Sequence, residues 1–311
     1  FFFKQKTAYE IPKRDWSSDV CSSDLSTFRL LGFEVEVRSD VPEVVELVEA
    51  VWAPLRVDGD GPAEHLFTVT VVPPEPRALP EWRVHLDGLL VVASGIPAVA
   101  VTHLLWEANR QALECTPGRA VLHAAAVAAG ARAAILVGPQ ESGKSTLAAA
   151  LVGRYGLGYL TDEAVAIDPA TSAVAPYPKY VSVGADVGTL LPELERLTDA
   201  RLVALLGDLT LVPASTFGPE RLAPATRVGA VVLPTYLPGE PTRVEVLSPA
   251  AALHAVAQHA YHVARDGDLV LDALARVVAG VPCVRLTGAD LDAAGAVVLD
   301  LLGAEIGRAH V

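Results

Sequence analysis

Residues 133–146 read AAILVGPQESGKST, and this stretch decides the interpretation of the whole chain. The apolar residues 133–137 form a run of strand length that leads into Gly138-Pro-Gln-Glu-Ser-Gly143-Lys144-Ser145, which fits the spacing G-x-x-x-x-G-K-[ST]. Residues 143–154 then predict a helix. Glycines allow a loop to wrap an anion with its backbone N–H groups, and the start of a helix adds partial positive charge. The stretch therefore predicts a strand, a phosphate-binding loop and a helix in succession.

The loop predicts binding of a nucleoside triphosphate, with ATP and Mg²⁺ as cofactors. Lys144 is expected at the β- and γ-phosphates, and the Ser145 hydroxyl is expected at the metal ion. The predicted nucleotide-binding residues are Gly138, Pro139, Gln140, Glu141, Ser142, Gly143, Lys144, Ser145 and Thr146. The alternative is an ordinary glycine-rich turn, which the flanking strand and helix disfavour.

Two adjacent acids, Asp162 and Glu163, follow a short apolar strand predicted at residues 158–160. Carboxylates at a strand end near a phosphate-binding loop can hold Mg²⁺ or accept a proton from a nucleophile. The alternative is a solvated turn, where adjacent acids are common. Lys179, which follows Pro-Tyr-Pro, either reaches a phosphate or lies on a surface turn.

The proline-rich segment 206–226 is weakly patterned and predicts a loop. Arg221 or Arg227 could supply a charge-stabilising arginine from this region, although most loop arginines are only solvated. Three histidines fall on one predicted helix: His254, His259 and His262. Solvated or core histidines are more common in such a position than a metal site, which needs more converging ligands.

Alternating and helical patterns divide most of the chain into two parts. Residues 26–115 are predicted as a strand-rich N-terminal subdomain, and residues 116–304 as a core in which strands alternate with helices. The predicted elements of the first part are a strand at 28–37, a helix at 42–55, a turn at 58–61, a strand at 66–72, a hairpin at 82–94 and a helix at 98–113. Those of the second part, besides residues 133–154, are strands at 120–129, 158–160, 165–167, 228–234 and 283–286, and helices at 249–263, 268–279 and 289–302. Together they predict an α/β fold with a largely parallel or mixed sheet.

The two ends of the chain are interpreted as translated sequencing adapter. Residues 19–25, DVCSSDL, and residues 305–311, EIGRAHV, can be encoded by DNA sequences that are reverse complements of each other. Folding gives no reason for such a relation. Residues 1–25 and 305–311 are therefore left out of the fold prediction.

Charge and composition restrict the classes of function. The net charge is -13, and an acidic chain is a poor candidate for nonspecific binding to nucleic acid. Apolar runs are interrupted by His123 and Arg132 and fall short of the roughly 18–20 residues of a membrane span. Cys115 and Cys283 match no zinc spacing, which is typical of reduced thiols in a cytoplasmic protein. Neither nucleic acid nor a membrane is an expected partner.

Four segments together resemble a known family. Leu122-His123-Ala124, the loop that ends at Lys144, Leu160-Thr-Asp162-Glu163 and Pro176-Tyr-Pro-Lys179 are similar to the catalytic domain of the HPr kinase/phosphorylase family. They more closely resemble the HPr-kinase-like proteins associated with peptide-tailoring pathways. The resemblance is strongest over residues 121–179 and weaker to about residue 302. It implies a P-loop fold of the phosphoenolpyruvate-carboxykinase-like or HPr-kinase-like type, with a mixed sheet flanked by helices.

The resemblance also implies roles for individual residues. Asp162 would deprotonate an acceptor serine, Glu163 would help Ser145 to hold Mg²⁺, and His123 would lie near the transferred phosphate beside Lys144. The chain departs from the bifunctional members, which usually carry two aspartates and a glycine after the histidine. The family's regulatory domain is not recognisable in residues 26–115, and its late arginine-containing motif is not found. These departures argue against HPr itself as the acceptor and against a reverse phosphorylase reaction.

The leading hypothesis is an ATP-dependent kinase that transfers the γ-phosphoryl group to a hydroxyl, with a serine of a peptide or small protein as the acceptor. The alternative is a nucleotide-binding regulatory or scaffold protein of a peptide-tailoring pathway without kinase activity. A phosphoenolpyruvate-carboxykinase-like or amino-acid kinase activity is a third hypothesis, because a fold alone does not choose among them. The resemblance also allows a homo-oligomer.

Overall fold

The computed structural model describes residues 26–57, 63–73, 79–183, 191–192, 194 and 196–304. Across these ranges the chain is α/β, with mixed sheets flanked by helices and a group of strands in the N-terminal region. This confirms the predicted fold class at that level. The turn predicted at 58–61 and both ends interpreted as adapter lie outside the described residues. Among the helices of the described ranges, none is long and apolar enough to cross a membrane.

The N-terminal region forms a six-stranded sheet with the strand order β3-β1-β2-β4-β5-β6. Its elements are β1 (Thr27–Leu30), β2 (Phe33–Ser39), α1 (Pro42–Trp52), β3 (Arg56–Val57), β4 (His65–Val72), β5 (Glu81–Leu86), β6 (Leu89–Ser94) and α2 (Pro97–Glu114). The predicted 82–94 hairpin is confirmed, because β5 pairs antiparallel with β6 and Asp87 and Gly88 form the turn with positive φ. The single strand predicted at 28–37 is wrong. It is a hairpin, since Leu31 adopts φ 56° and reverses the chain between β1 and β2.

The second part is built on an eight-stranded sheet that contains the glycine loop. Its first elements are β7 (Ala120–Ala129), β8 (Arg132–Val137), α3 (Lys144–Gly153), β9 (Gly158–Thr161), β10 (Ala164–Ile167) and β11 (Ala173–Val174). A small two-stranded sheet follows, formed by β12 (Val181–Val183) and β13 (Thr210–Val212), with the short helix α4 (Ala200–Ala204) between them. The last elements are β14 (Thr226–Tyr236), β15 (Arg243–Val246), α5 (Pro249–Ala257), α6 (Val263–Gly280), β16 (Cys283–Gly288) and α7 (Leu291–Leu302).

Strand β8 lies at the centre of this sheet, whose order is β11-β10-β7-β8-β14-β16-β15 with β9 also paired to β7. It runs antiparallel to β7 and parallel to β14, which in turn runs parallel to β16. The loops that follow β8, β14 and β16 therefore meet at one edge of the sheet. In open α/β sheets, the carboxyl ends of the strands are the usual place for a ligand site.

Alanines in β7 let helix α3 approach the sheet closely. Ala125 is fully buried in the same apolar cluster as Ala148 and Ala149 of α3, and Val127 belongs to that cluster as well. The next residues along β7, Ala124 and those that alternate with it, pack into a different cluster on the opposite face. A strand that is buried on both faces is expected to be apolar along its whole length. A polar residue within such a strand therefore needs a hydrogen-bond partner or a specific role.

The two parts share one apolar core. Phe28, Val48 and Leu104 of the N-terminal region pack in the same cluster as Val121 and Tyr177 of the second part. The Tyr177 hydroxyl, fully buried, also donates a hydrogen bond of 3.2 Å to the Asn109 side chain of α2. The predicted boundary near residue 115 therefore separates two sheets that are packed together.

Two predicted elements of the second part are corrected by long-range pairing. The helix predicted at 249–263 ends at Ala257, because the backbone of Ala260 forms a bridge to Leu122 and His262 adopts φ 60°. The loop predicted at 206–226 contains β13 and two turns of 3₁₀-helix. A partner strand elsewhere in the sequence stabilises β13, so local pattern does not reveal it.

Candidate functional site

The glycine loop (Gly138–Gly143) places Lys144 at the start of α3. Gly143 adopts φ 92°, which favours glycine, and it forms the N-cap of the helix. The Lys144 side chain is buried, and its Nζ donates to the carbonyl oxygens of Gly138 at 2.8 Å and Pro139 at 2.6 Å. Burial lowers its pKa, whereas the carboxylates of Asp162 and Glu163 raise it. The lysine is thus held inside the loop, where an anion would meet it.

The backbone of the loop contains one residue in a left-handed conformation and one hydrogen bond to β14. Glu141 adopts φ 62°, a left-handed conformation that non-glycine residues rarely take. The Tyr236 N–H at the end of β14 donates to the Ser142 carbonyl at 3.2 Å. Pro139, Gln140 and Glu141 are exposed at the tip. The loop is therefore open on one side and anchored to β14 on the other.

Asp162, directly after β9, lies beside the first turn of α3. The Ser182 N–H donates to its Oδ2 at 3.3 Å, and the Ser145 hydroxyl hydrogen-bonds to the same carboxyl group. Its Oδ1 is buried and has no hydrogen-bond partner among the described residues. Burial raises the pKa of Asp162 to about 6, although Lys179 and Ser145 act in the opposite direction. The solvated-turn alternative is wrong for Asp162, which is only 5% exposed.

Glu163 forms an ion pair with Lys179, whose Nζ lies 2.8 Å from Glu163 Oε2. The Lys179 side chain is only 2% exposed, which excludes the surface-turn alternative. Burial alone would lower the pKa of Lys179, but the nearby acids hold it well above its usual value. Lys179 in turn lowers the pKa of Glu163. The ammonium also sits 4.2 Å from the centre of the Tyr180 ring.

His123 lies in β7 and is half-buried, whereas its neighbours along the strand are buried. It pairs with Ala164, the residue after Glu163, and the N–H of its neighbour Ala124 donates to the Glu163 carbonyl at 3.2 Å. The pKa of the His123 imidazole is lowered by burial first and by the Lys144 ammonium second. The structure thus brings His123, Lys144, Asp162 and Glu163 to one edge of the sheet.

His259 is a residue of this site that sequence reasoning missed. Its carbonyl accepts a 2.8 Å hydrogen bond from the His123 N–H, and its imidazole has a pKa lowered by burial and by Lys144. Its part in this site could not be read from local pattern, because the sequence predicts a helix that carries His259 together with His254 and His262. Its position is set by the bridge between the 258–262 linker and β7.

The two loop arginines lie away from this edge. Arg221 donates to the Gly156 carbonyl, beyond the far end of α3. Arg227 lies near the start of β14, opposite Arg132 at the start of β8, whereas the glycine loop follows the end of β8. Neither residue is brought to the glycine loop.

The side chains at this site could hold an anion and one divalent cation. In the part of the chain that the structure describes, no three histidine, cysteine, aspartate or glutamate side chains are grouped so that they could hold a metal ion. The three histidines of the 254–262 segment form no such group. Ser145 and Asp162 adjoin each other, so a divalent ion there would complete its shell with ligand oxygens. Asp162, rather than the predicted Glu163, is the carboxylate beside Ser145.

No protein-family model matches this chain, and the search of curated proteins finds no significant match.

Proposed function

We propose that this chain is a P-loop kinase that transfers the γ-phosphoryl group of ATP to a hydroxyl. The observation that carries the proposal is the buried Asp162 carboxylate beside Ser145, with its Oδ1 unpartnered among the described residues. A buried carboxylate oxygen without a hydrogen-bond partner costs stability, and carboxylates perturbed in this way are common at functional sites. Next to a loop built to receive an anion, Asp162 is suited to accept a proton.

The residues fit a nucleotide and Mg²⁺. In this proposal the glycine loop and Lys144 would bind the phosphates, Ser145 would hold the ion together with phosphate oxygens, and Asp162 would act as the base. When bound, Mg²⁺ supplies charge neutralisation for the phosphate oxygens. The acceptor oxygen attacks the γ-phosphorus as the bond to the β-phosphate oxygen breaks, ADP leaves, and the proton of the acceptor passes to Asp162 Oδ1. A pKa of about 6 leaves Asp162 ionised at neutral pH and more basic than an ordinary aspartate.

The HPr-kinase-like fold and a serine of a peptide or small protein as acceptor belong to the same proposal. They are supported by the resemblance over residues 121–179 and by the grouping of His123, Asp162 and Glu163 at the loop. We place His123 near the transferred phosphate, where a neutral imidazole could donate or accept a hydrogen bond.

A transfer assay tests this function. Purified protein is incubated with radiolabelled ATP, Mg²⁺ and candidate serine peptides, alongside the variants Lys144→Ala and Asp162→Asn. We expect both variants to lose transfer by at least about a hundredfold, while Arg227→Ala, at the far end of the sheet, transfers like wild type. If both site variants matched wild type, the proposal would fail. Retained ATP binding with no transfer to any acceptor would instead favour the regulatory or scaffold alternative.

A further inference from the structure

A cleft opens on the other side of the glycine loop from Asp162. It encloses about 370 Å³ of empty space, its open mouth included, and lies between the loop, the ends of β14 and β16, and the start of α7. Ser142 and Gly143 form one wall, Tyr236 and Leu286 the strand ends, and Leu291 the helix side. The predicted nucleotide-binding residues touch this cleft only at Ser142 and Gly143.

The cleft and the acidic site flank the loop on opposite sides. The sheet order places β7, with His123 and the neighbouring β9 and β10, on one side of β8, and β14 and β16 on the other. A triphosphate lying across the loop with its γ-phosphate near Asp162 would direct its α-phosphate, and whatever is attached to it, toward β14 and β16. The cleft begins at that point.

The chemistry of the cleft suits a neutral, flat, polar-edged group. Ser142 and Thr242 both line it, and their hydroxyl oxygens are buried without a hydrogen-bond partner in the described part of the chain. Hydroxyls left in that state carry a desolvation cost that a ligand could remove. Tyr236, 52% exposed, presents an aromatic ring on which a base could stack. The described residues that line the cleft include no lysine or arginine, so it offers no cationic side chain to a phosphate.

We propose that this cleft binds the nucleoside end of the nucleotide, with a purine stacked on Tyr236 and polar edges of the base or ribose bonded to Ser142 and Thr242. The inference rests on nucleotide binding at the glycine loop and adds the part of the site that selects a nucleotide over a bare polyphosphate. Asp290 has one carboxylate oxygen engaged as the cap of α7, which leaves the other oxygen for an exocyclic amine.

Calorimetric titration of two ligands tests the assignment. The non-hydrolysable ATP analogue AMP-PNP carries the nucleoside, and inorganic tripolyphosphate lacks it; both are titrated with Mg²⁺. We expect wild type to bind AMP-PNP more tightly than tripolyphosphate. Tyr236→Ala should lower the affinity for AMP-PNP about tenfold and leave the affinity for tripolyphosphate unchanged. Base stacking on an aromatic ring contributes only to the binding of AMP-PNP.

Two further variants separate the possible outcomes. Ala294→Leu, on the α7 wall of the cleft, should have the same selective effect by filling space, and Thr242→Val should do so without a change in volume. Lys144→Ala should lower the affinity for both ligands. If wild type bound both ligands equally, or if all three cleft variants kept the wild-type preference, the cleft assignment would be wrong while nucleotide binding stood. If wild type bound neither ligand, nucleotide binding itself would fail and the cleft assignment with it.

Discussion

At the scale of single residues, the site depends on how Asp162 is kept usable as a base. Burial is the largest influence on its pKa and acts to raise it. Glu163 acts in the same direction, while Lys179, the Ser145 hydroxyl and the Ser182 N–H lower it. The balance leaves a carboxylate that is ionised at neutral pH but costs the fold some stability.

That cost can be measured with Asp162→Asn. The folded-state pKa is raised from 3.8 to about 6, so ionised Asp162 destabilises the folded protein, and this loss develops as pH rises from about 4 to about 6. From the linkage relation, the stability of the variant relative to wild type should rise by about 2 kcal/mol between pH 4 and pH 7. Urea unfolding of both proteins at the two pH values measures this difference. If the difference in the free energy of unfolding did not change with pH, the pKa of Asp162 would not be raised in the folded protein.

Lys179 should control the pH dependence of activity. Removing its ammonium in Lys179→Met takes away a charge that lowers the pKa of Asp162, so the acid limb of the kcat/KM profile should move up by about one pH unit. Lys179→Arg keeps the charge, so its acid limb should lie close to that of wild type. A structural role alone would lower kcat/KM at every pH without moving the limb.

At the scale of elements, the junction between β8 and α3 requires a residue without a side chain. In Gly143→Ala, the alanine backbone would have to keep φ 92°, a conformation that residues with a side chain rarely adopt. We expect a loss of about 1–2 kcal/mol in the free energy of unfolding, together with weaker nucleotide binding. Gly267→Ala, inside α6, is the matched control, because an added Cβ there meets no atom within 4 Å. It should be neutral or slightly stabilising. Urea titrations compare the two, and equal stability would contradict the prediction.

At the scale of the whole molecule, the shared core predicts a single cooperative unfolding transition. Among the described residues, the tryptophans are Trp52, Trp82 and Trp106, all in the N-terminal region. With Trp16 replaced by phenylalanine, tryptophan fluorescence therefore reports that region, while far-UV circular dichroism reports both. The two curves should coincide in urea, because Tyr177 and Val121 pack in the core of the N-terminal sheet. Separate midpoints would show that the two parts unfold independently.

Local pattern predicted much of the fold because many elements are stabilised by their own sequence. The hairpin turn at Asp87-Gly88, the apolar run of β8 and the serine cap with proline before α5 each carry a local signal. The predictions failed where a distant strand competes with a local preference. The 258–262 linker leaves the helix to pair with β7, and β13 exists because β12 pairs with it.

By itself, the sequence determined the strand, glycine loop and helix around Lys144, because that conformation depends on glycines, a lysine and a helix start at fixed spacing. The tertiary structure decided what surrounds the loop. It buried Asp162 beside Ser145, paired Glu163 with Lys179, brought His259 to His123 and opened the cleft next to Tyr236. Each of these contacts joins residues from different elements, and their distances follow from how the strands order and pack in the sheet.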